Sequence, residues 1–230
     1  MNYIITGTSR GIGKQLLITA LKNGHQVISI SRSKTEIESE LSNKLILNWT
    51  EIMGDLINDA TFNRLEKELS DWNSVDVLIN NAGYLVNKPF EQLSTLDFNL
   101  SYQINVLVPS LLIKMCIPFL KDSKIGKVIN IGSIGGVQGS VKFPGLAFYS
   151  SSKGALATLT ECLAEEYKAI NIHFNYLALG AVQTEMLEQA FPGFIAPVTS
   201  AQMAEFIYHF SIHSADMING KIIPVALSTP

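Results

Sequence analysis

Residues 3–13 constrain the fold more than any other stretch. Tyr3-Ile4-Ile5 is a short apolar strand, and Thr6-Gly7-Thr8-Ser9-Arg10-Gly11-Ile12-Gly13 follows it at once. Ile12, Leu16, Leu17, Ala20 and Leu21 then recur at three- and four-residue spacing, which predicts a helix stopped by Asn23-Gly24. A second apolar strand, Gln26 to Ile30, closes a βαβ half-unit. Glycine lets backbone turn sharply and approach a ligand with no Cβ in the way. The first N–H groups of the new helix, at the positive end of its dipole, then face outward as a seat for a pyrophosphate.

The rest of the chain keeps this alternation. Strands are expected at Leu45-Ile46-Leu47, Val75 to Ile79, Lys127 to Ile131, Ile172 to Leu177 and Lys221 to Val225. Helices are expected at Thr61 to Leu69, Leu96 to Leu120 (with Pro109 and Pro118 as kinks or breaks) and Ser150 to Tyr167. Repeated βα units predict an α/β fold: one Rossmann-type, doubly wound parallel sheet of about seven strands flanked by helices. No repeat, low-complexity tract or linker divides the 230 residues, so residues 1–230 are read as one domain holding both cofactor and substrate sites. The composition agrees, because a sheet covered on both faces needs apolar strands, and 47% of the residues are hydrophobic.

A net charge of −3 gives no reason to expect nucleic-acid binding. No unbroken apolar run reaches the roughly 18 residues of a membrane span. Met1 lies almost against the first strand, so no signal peptide is expected and the location is read as cytoplasmic. Cys116 and Cys162 fall in apolar helical patterns and are read as packed thiols. His209 and His213 share a helix face but have no evident third ligand, so no metal is expected.

The chemistry concentrates in Tyr149-Ser150-Ser151-Ser152-Lys153, with Ser133 upstream. Residues i and i+4 share one helix face. The ammonium of Lys153 is therefore expected to favour the phenolate of Tyr149, lowering a pKa that is ordinarily about 10. A phenol tuned in this way donates a proton to a carbonyl as hydride arrives, or removes one from an alcohol.

With these motifs in order, the chain resembles the short-chain dehydrogenase/reductase family over nearly its whole length. Thr6 to Gly13 matches the family's TGxxxGIG turn and Asn80 to Gly83 its NNAG, while Asn105, Ser133, Tyr149 and Lys153 match its catalytic tetrad. The resemblance implies an oxidoreductase interconverting a carbonyl and an alcohol with a nicotinamide cofactor. It makes Tyr149 the general acid or base and gives Lys153 a hold on the nicotinamide ribose. Ser133 hydrogen-bonds the substrate carbonyl, and Asn105 holds a water through its main-chain carbonyl. Cofactor contacts are expected at Gly7, Ser9, Arg10, Gly11, Ile12 and Gly13 in the turn, and at Asn81, Ala82 and Gly83 under the ribose. Asp55 and Leu56 are expected at the adenine, with Val182 and Thr184 at the carboxamide and pyrophosphate. The segment Trp49 to Gly54 before Asp55 reads as irregular.

Cofactor choice depends on the end of the second strand, where an acid binds a ribose 2′-hydroxyl and cations bind a 2′-phosphate. Ser31-Arg32-Ser33-Lys34 has no acid until Glu36, so Arg32, with Arg10 nearby, predicts a preference for NADP(H) over NAD(H).

The departures are specific. Leu179-Gly180 replaces the family's Pro-Gly, from which a looser turn is expected, and the C-terminal residues 225–230 lack its Asp-Gly-Gly. The glycine-rich stretch from Ser133 to Tyr149 either shapes an unusual pocket or is slack. Met186, Leu187, Phe191, Phe194 and Ile195 form either an apolar substrate lid or a surface for a partner subunit. A homodimer or homotetramer is expected from the resemblance, through the helices around Leu107 and Leu156. The alternative from another class is a non-catalytic NADP(H)-binding regulator or scaffold, against which the complete tetrad speaks.

Overall fold

A computed structural model describes residues 1–37, 40–170, 172–214 and 217–227. The chain opens with β1 (Asn2–Thr6), α1 (Gly11–Lys22), β2 (Gln26–Ser31), a single helical turn α2 (Asn43–Ile46) and β3 (Trp49–Met53). It continues through α3 (Asp59–Leu69), β4 (Val77–Asn80) and α4 (Thr95–Tyr102), then a π-helical turn at Gln103–Leu107 that leads into α5 (Val108–Lys121). Next come β5 (Lys127–Ser133), α6 (Ala147–Glu166), β6 (His173–Leu179), β7 (Val182–Gln183) and α7 (Glu185–Ala190). The last elements are β8 (Val198–Thr199), α8 (Ser200–His213) and β9 (Lys221–Val225). Residues 228–230 of the segment lacking Asp-Gly-Gly lie outside the described residues.

Seven strands form one parallel sheet in the order β3-β2-β1-β4-β5-β6-β9, and the two-residue strands β7 and β8 pair separately. Alternate residues of a strand face opposite sides. Tyr3 and Ile5 accordingly pack with Leu16, Leu17 and Ile207 on one face, while Ile4 packs with Ile28, Leu112 and Val128 on the other. Both faces are covered, which is why Tyr3-Ile4-Ile5 is apolar without alternation. Pairing of β1 to both β2 and β4 puts the reversal of strand order between them. The crevice beyond the carboxyl ends of these strands is where such sheets bind ligands.

Two expectations, the place of the third strand and the packing of Cys162, are corrected. Leu45 and Ile46 belong to helical turn α2 and Leu47 is 85% exposed, whereas the supposedly irregular Trp49–Met53 is the third strand. Three apolar residues in a row carry no period to separate helix from strand. An edge strand is only half covered, so its sequence mixes Thr50 and Glu51 with Trp49 and Ile52. Cys116 is buried, but Cys162 is exposed, because the buried stripe of α6 runs through Leu156, Thr160 and Ala164. Leu107 is half exposed, whereas the Leu156 side chain itself packs with Tyr176 and Ile134 in the core, and the exposed face of its helix runs through Thr158 and Glu161. Residues 95–121 are long and apolar enough to span a membrane by length and composition alone, although polar residues such as Asp97, Ser101, Asn105 and Lys114 leave no unbroken apolar run. Asn105 within that span is fully buried and hydrogen-bonded to α6.

Candidate active site

The turn after β1 is a cradle that side chains would fill. Gly7 and Gly11 have φ of +73° and +56°, the left-handed region that favours glycine. A Cβ on Gly13 would lie 2.2 Å from the Gly7 carbonyl oxygen. Arg10 precedes α1 without a side-chain cap, leaving the first N–H groups of the helix to a ligand. The Thr6 hydroxyl accepts from the Asn81 and Ala82 N–H groups at 3.1 and 2.9 Å, and the Asn81 amide donates to the Thr6 carbonyl at 2.9 Å. The glycine turn and Asn80–Gly83 are thereby locked edge to edge. The sequence reading gave Thr6 no role, since nothing local signals a bond to residues 75 positions away.

One cavity of about 750 Å³ runs across the carboxyl ends of the strands. It is lined by Gly7, Ser9, Arg10, Gly11 and Ile12, by Arg32, Asp55 and Leu56, and by Asn81, Ala82 and Gly83. Ser133, Tyr149, Lys153, Val182 and Thr184 line its other parts. Two expected site residues stand behind the wall. Gly13 supports the turn, and Asn105 accepts from the Tyr84 N–H at 2.8 Å and donates to Ser152 Oγ at 2.9 Å. The π-turn carries Asn105, and Pro109 has no N–H for the Asn105 carbonyl that a regular helix would bond four residues on. That carbonyl thus loses its usual helical donor at the position where the water relay is expected.

Helix α6 starts at Ala147, so Tyr149 and Lys153 sit on its first two turns, with Lys153 Nζ 6.0 Å from the centre of the Tyr149 ring. Lys153 Nζ donates to the Ile131 carbonyl at 2.8 Å. A Cβ on Gly83 would be 3.5 Å from both Lys153 Nζ and Asn105 Oδ1, so that glycine sits where the two residues converge. The Ser133 hydroxyl oxygen accepts from the Gly135 N–H at 3.2 Å, capping the turn. Ser133 also acts on the Tyr149 phenol and draws its pKa down. Burial pushes the Tyr149 phenol up and outweighs the lowering by Ser133. Burial also brings Lys153 down to about 8. The expected depression of the tyrosine by lysine is therefore not the ground state of the chain alone. Both groups are buried, and desolvation disfavours the charged form of each.

The lid resolves in part. Thr184 caps α7, its hydroxyl accepting from the Leu187 N–H. Met186, Leu187, Phe191 and Phe194 line the cavity, while Ile195 is exposed and does not. Asn87, unremarked in sequence, donates to the Ala190 carbonyl at 2.8 Å and ties the end of α7 across the cavity. Residues 134–148 are tied rather than slack: Gly145 accepts from the Lys88 N–H at 3.0 Å, and Phe143 and Leu146 line the cavity. Leu179 in place of proline lets β6 run to its end, paired with Ser133 and Val225, and Gly180 N–H bonds Val225 at 3.0 Å. His209 hydrogen-bonds Glu205 at 2.9 Å, and among the described residues no group of three metal-ligating side chains forms.

Residues 2–193 match the family model described as short chain dehydrogenase. The chain is 32% identical to an uncharacterized oxidoreductase of Thermotoga maritima over 80% of its own length and 72% of the relative's. It superposes on a solved structure of ElxO with NADP bound at a TM-score of 0.85 and 28% identity, covering 97% of this chain and 96% of the other. The 3-ketoacyl-(acyl-carrier-protein) reductase from Brucella melitensis complexed with NADH gives the same TM-score and coverages at 24% identity.

Proposed function

The chain belongs to the short-chain dehydrogenase family, and from that membership we propose that it reduces an apolar ketone to an alcohol with NADPH, or runs the reverse, using Tyr149 as proton donor. It is an oxidoreductase of carbonyl and alcohol groups. The observation that carries the finer reading is convergence: Tyr149, Ser133 and buried Lys153 face the same cavity into which the glycine cradle opens.

The residues fit a dinucleotide, because Gly7 and Gly11 take left-handed backbone, Gly13 has no room for a side chain, and the turn presents the start of α1. Bound there, the nicotinamide supplies or accepts the hydride. Tyr149 gives its proton to the carbonyl oxygen, and a phenol whose pKa is raised is fully protonated at neutral pH. Ser133 donates a hydrogen bond to the same oxygen as charge develops there and keeps its proton. Lys153, held against the Ile131 carbonyl, places positive charge beside the phenol. The Asn105 carbonyl offers a route for proton replacement.

The Lys153 value sets a pH dependence. A lysine lowered to about 8 is charged below that pH and neutral above it. For reduction, kcat/KM should be level near neutrality and fall about tenfold per unit above the break as the Lys153 charge is lost, while Tyr149, its pKa raised by burial, stays protonated. Steady-state rates across pH check this. A profile that stays level to about pH 10 sinks the role of Lys153.

NADPH is favoured by Arg10 and Arg32, both exposed and lining the cavity. The nearest strand acid, Glu51, is turned elsewhere, accepting from the Thr35 N–H at 2.7 Å. Arg32→Asp should weaken NADPH by roughly 10- to 100-fold, the range for a lost charge-assisted bond, and leave NADH the better cofactor. Unchanged relative KM values would refute the assignment. The substrate's body is read as apolar from Phe143, Leu146, Met186, Leu187 and Phe191, which line the cavity. Half-exposed Leu107, Leu111 and Phe98 on one long helical segment support a homodimer or homotetramer. The direct test of the function is NADPH absorbance followed against a panel of ketones, diketones and acyl thioesters, with Tyr149→Phe as control.

A further inference from the structure

A second phenol lies beneath the active site. Tyr176 is on β6, opposite Asn130 of β5, and its side chain is fully buried with Ile134, Leu156 and Ala157. The ring crosses under Gly132 and reaches the end of β5. There the Ser133 N–H donates to Tyr176 Oη at 2.9 Å, and the Tyr176 hydroxyl donates back to the Ser133 carbonyl at 3.3 Å. The passage exists only because residue 132 has no side chain: a Cβ there would lie 1.7 Å from Tyr176 Cζ. The two residues form one device, a gap in one strand filled from the next.

We propose that Tyr176 is a positioning residue, clamping the main chain of Ser133 so that its hydroxyl is held toward Tyr149 and the substrate carbonyl. The hydroxyl of Ser133 has little freedom left. Its oxygen accepts from the Gly135 N–H at 3.2 Å, while Tyr176 holds the N–H and carbonyl of the same residue. A serine fixed at three points delivers its hydrogen bond without reorganising as charge develops. Burial pushes the Tyr176 phenol up, so it stays neutral and remains able to donate and accept. Tyr176 does not line the cavity, so it acts through Ser133 and does not touch substrate.

The proposal rests on the oxidoreductase reading for its kinetic consequence but not for its structural one, and the test separates them. Tyr176→Phe keeps the ring that fills the gap and removes only the hydroxyl. The variant should lose roughly tenfold in kcat with the NADPH KM within about twofold. In a Ser133→Ala background the same change should alter kcat by less than about twofold, since a residue acting only through Ser133 has nothing left to position. Equal losses in both backgrounds, or unchanged kcat in the wild-type background, would overturn the proposal.

Amide hydrogen exchange on the NADPH-bound protein reads the clamp without turnover. Exchange at Ser133 should quicken at least tenfold in Tyr176→Phe while Ile129 stays protected. Equal Ser133 exchange in both proteins would overturn the clamp whatever the rates show. If wild type turns over no ketone at all, the oxidoreductase reading fails, and exchange alone decides whether Tyr176 holds Ser133.

Discussion

Replacing Tyr149 with phenylalanine should lower kcat for ketone reduction by about 10²- to 10⁴-fold, the range for loss of a general acid. The change removes one oxygen and keeps the ring, so the start of α6 and the wall of the cavity are preserved. What disappears is the phenol oxygen beside Ser133 and the proton that it carries. Neither neighbour replaces it readily. Lys153 Nζ is bonded to the Ile131 carbonyl, and Ser133 is an alcohol and a far weaker acid. On the proposed reading the cofactor is held mainly by the glycine cradle and the N–H groups of α1, so the NADPH Kd should change by less than about tenfold. Nucleotide fluorescence titration checks the second statement and single-turnover absorbance the first. A variant within tenfold of wild-type kcat would mean that the proton comes from another group.

Gly132→Ala should be among the most damaging single substitutions in the sheet. The new methyl would stand 1.7 Å from Cζ, 2.1 Å from Oη and 2.3 Å from Cε1 of Tyr176. That ring is walled by Ile134, Leu156, Ala157 and Ala178, all buried, and cannot swing clear. Overpacking typically costs about 1–3 kcal/mol and occasionally more. Overlap this deep with a rigid ring places the expected loss at about 3 kcal/mol or above, a fall in Tm of roughly 6–12 °C for a chain of this size. Thermal unfolding of the purified variant measures it. The alanine should be tolerated within about 1 kcal/mol once Tyr176→Val removes the ring. A cycle showing equal loss in both backgrounds would place the damage elsewhere than in this contact.

Much of the molecule was legible because its signals are local. The run from Tyr3 to Gly13 writes strand, turn and helix in consecutive residues, and Tyr149 and Lys153 meet because a helix brings i and i+4 together. The buried strands β1, β2 and β4–β6 read clearly because both their faces are covered, whereas edge strand β3 was misplaced because one side has no neighbour. The lid's apolar residues were legible as apolar, but their direction was not. Only the packed chain turns Met186 and Phe191 into the cavity and leaves Ile195 outside.

By itself the sequence determined the doubly wound sheet, the glycine cradle and the placing of Tyr149 and Lys153 on one helix face, since periodicity, glycine and i,i+4 spacing act within a few residues. Tertiary structure decided the rest. It set the order of the strands, the lock of Thr6 onto Asn81, the tie from Asn87 to Ala190 and the passage of Tyr176 under Gly132 to Ser133, a contact across 43 residues. It also decided the resting charge of the site. A phenol and an ammonium four residues apart stabilise one another's charges, but both are buried by strands and loops distant in sequence, and that desolvation raises Tyr149 and lowers Lys153.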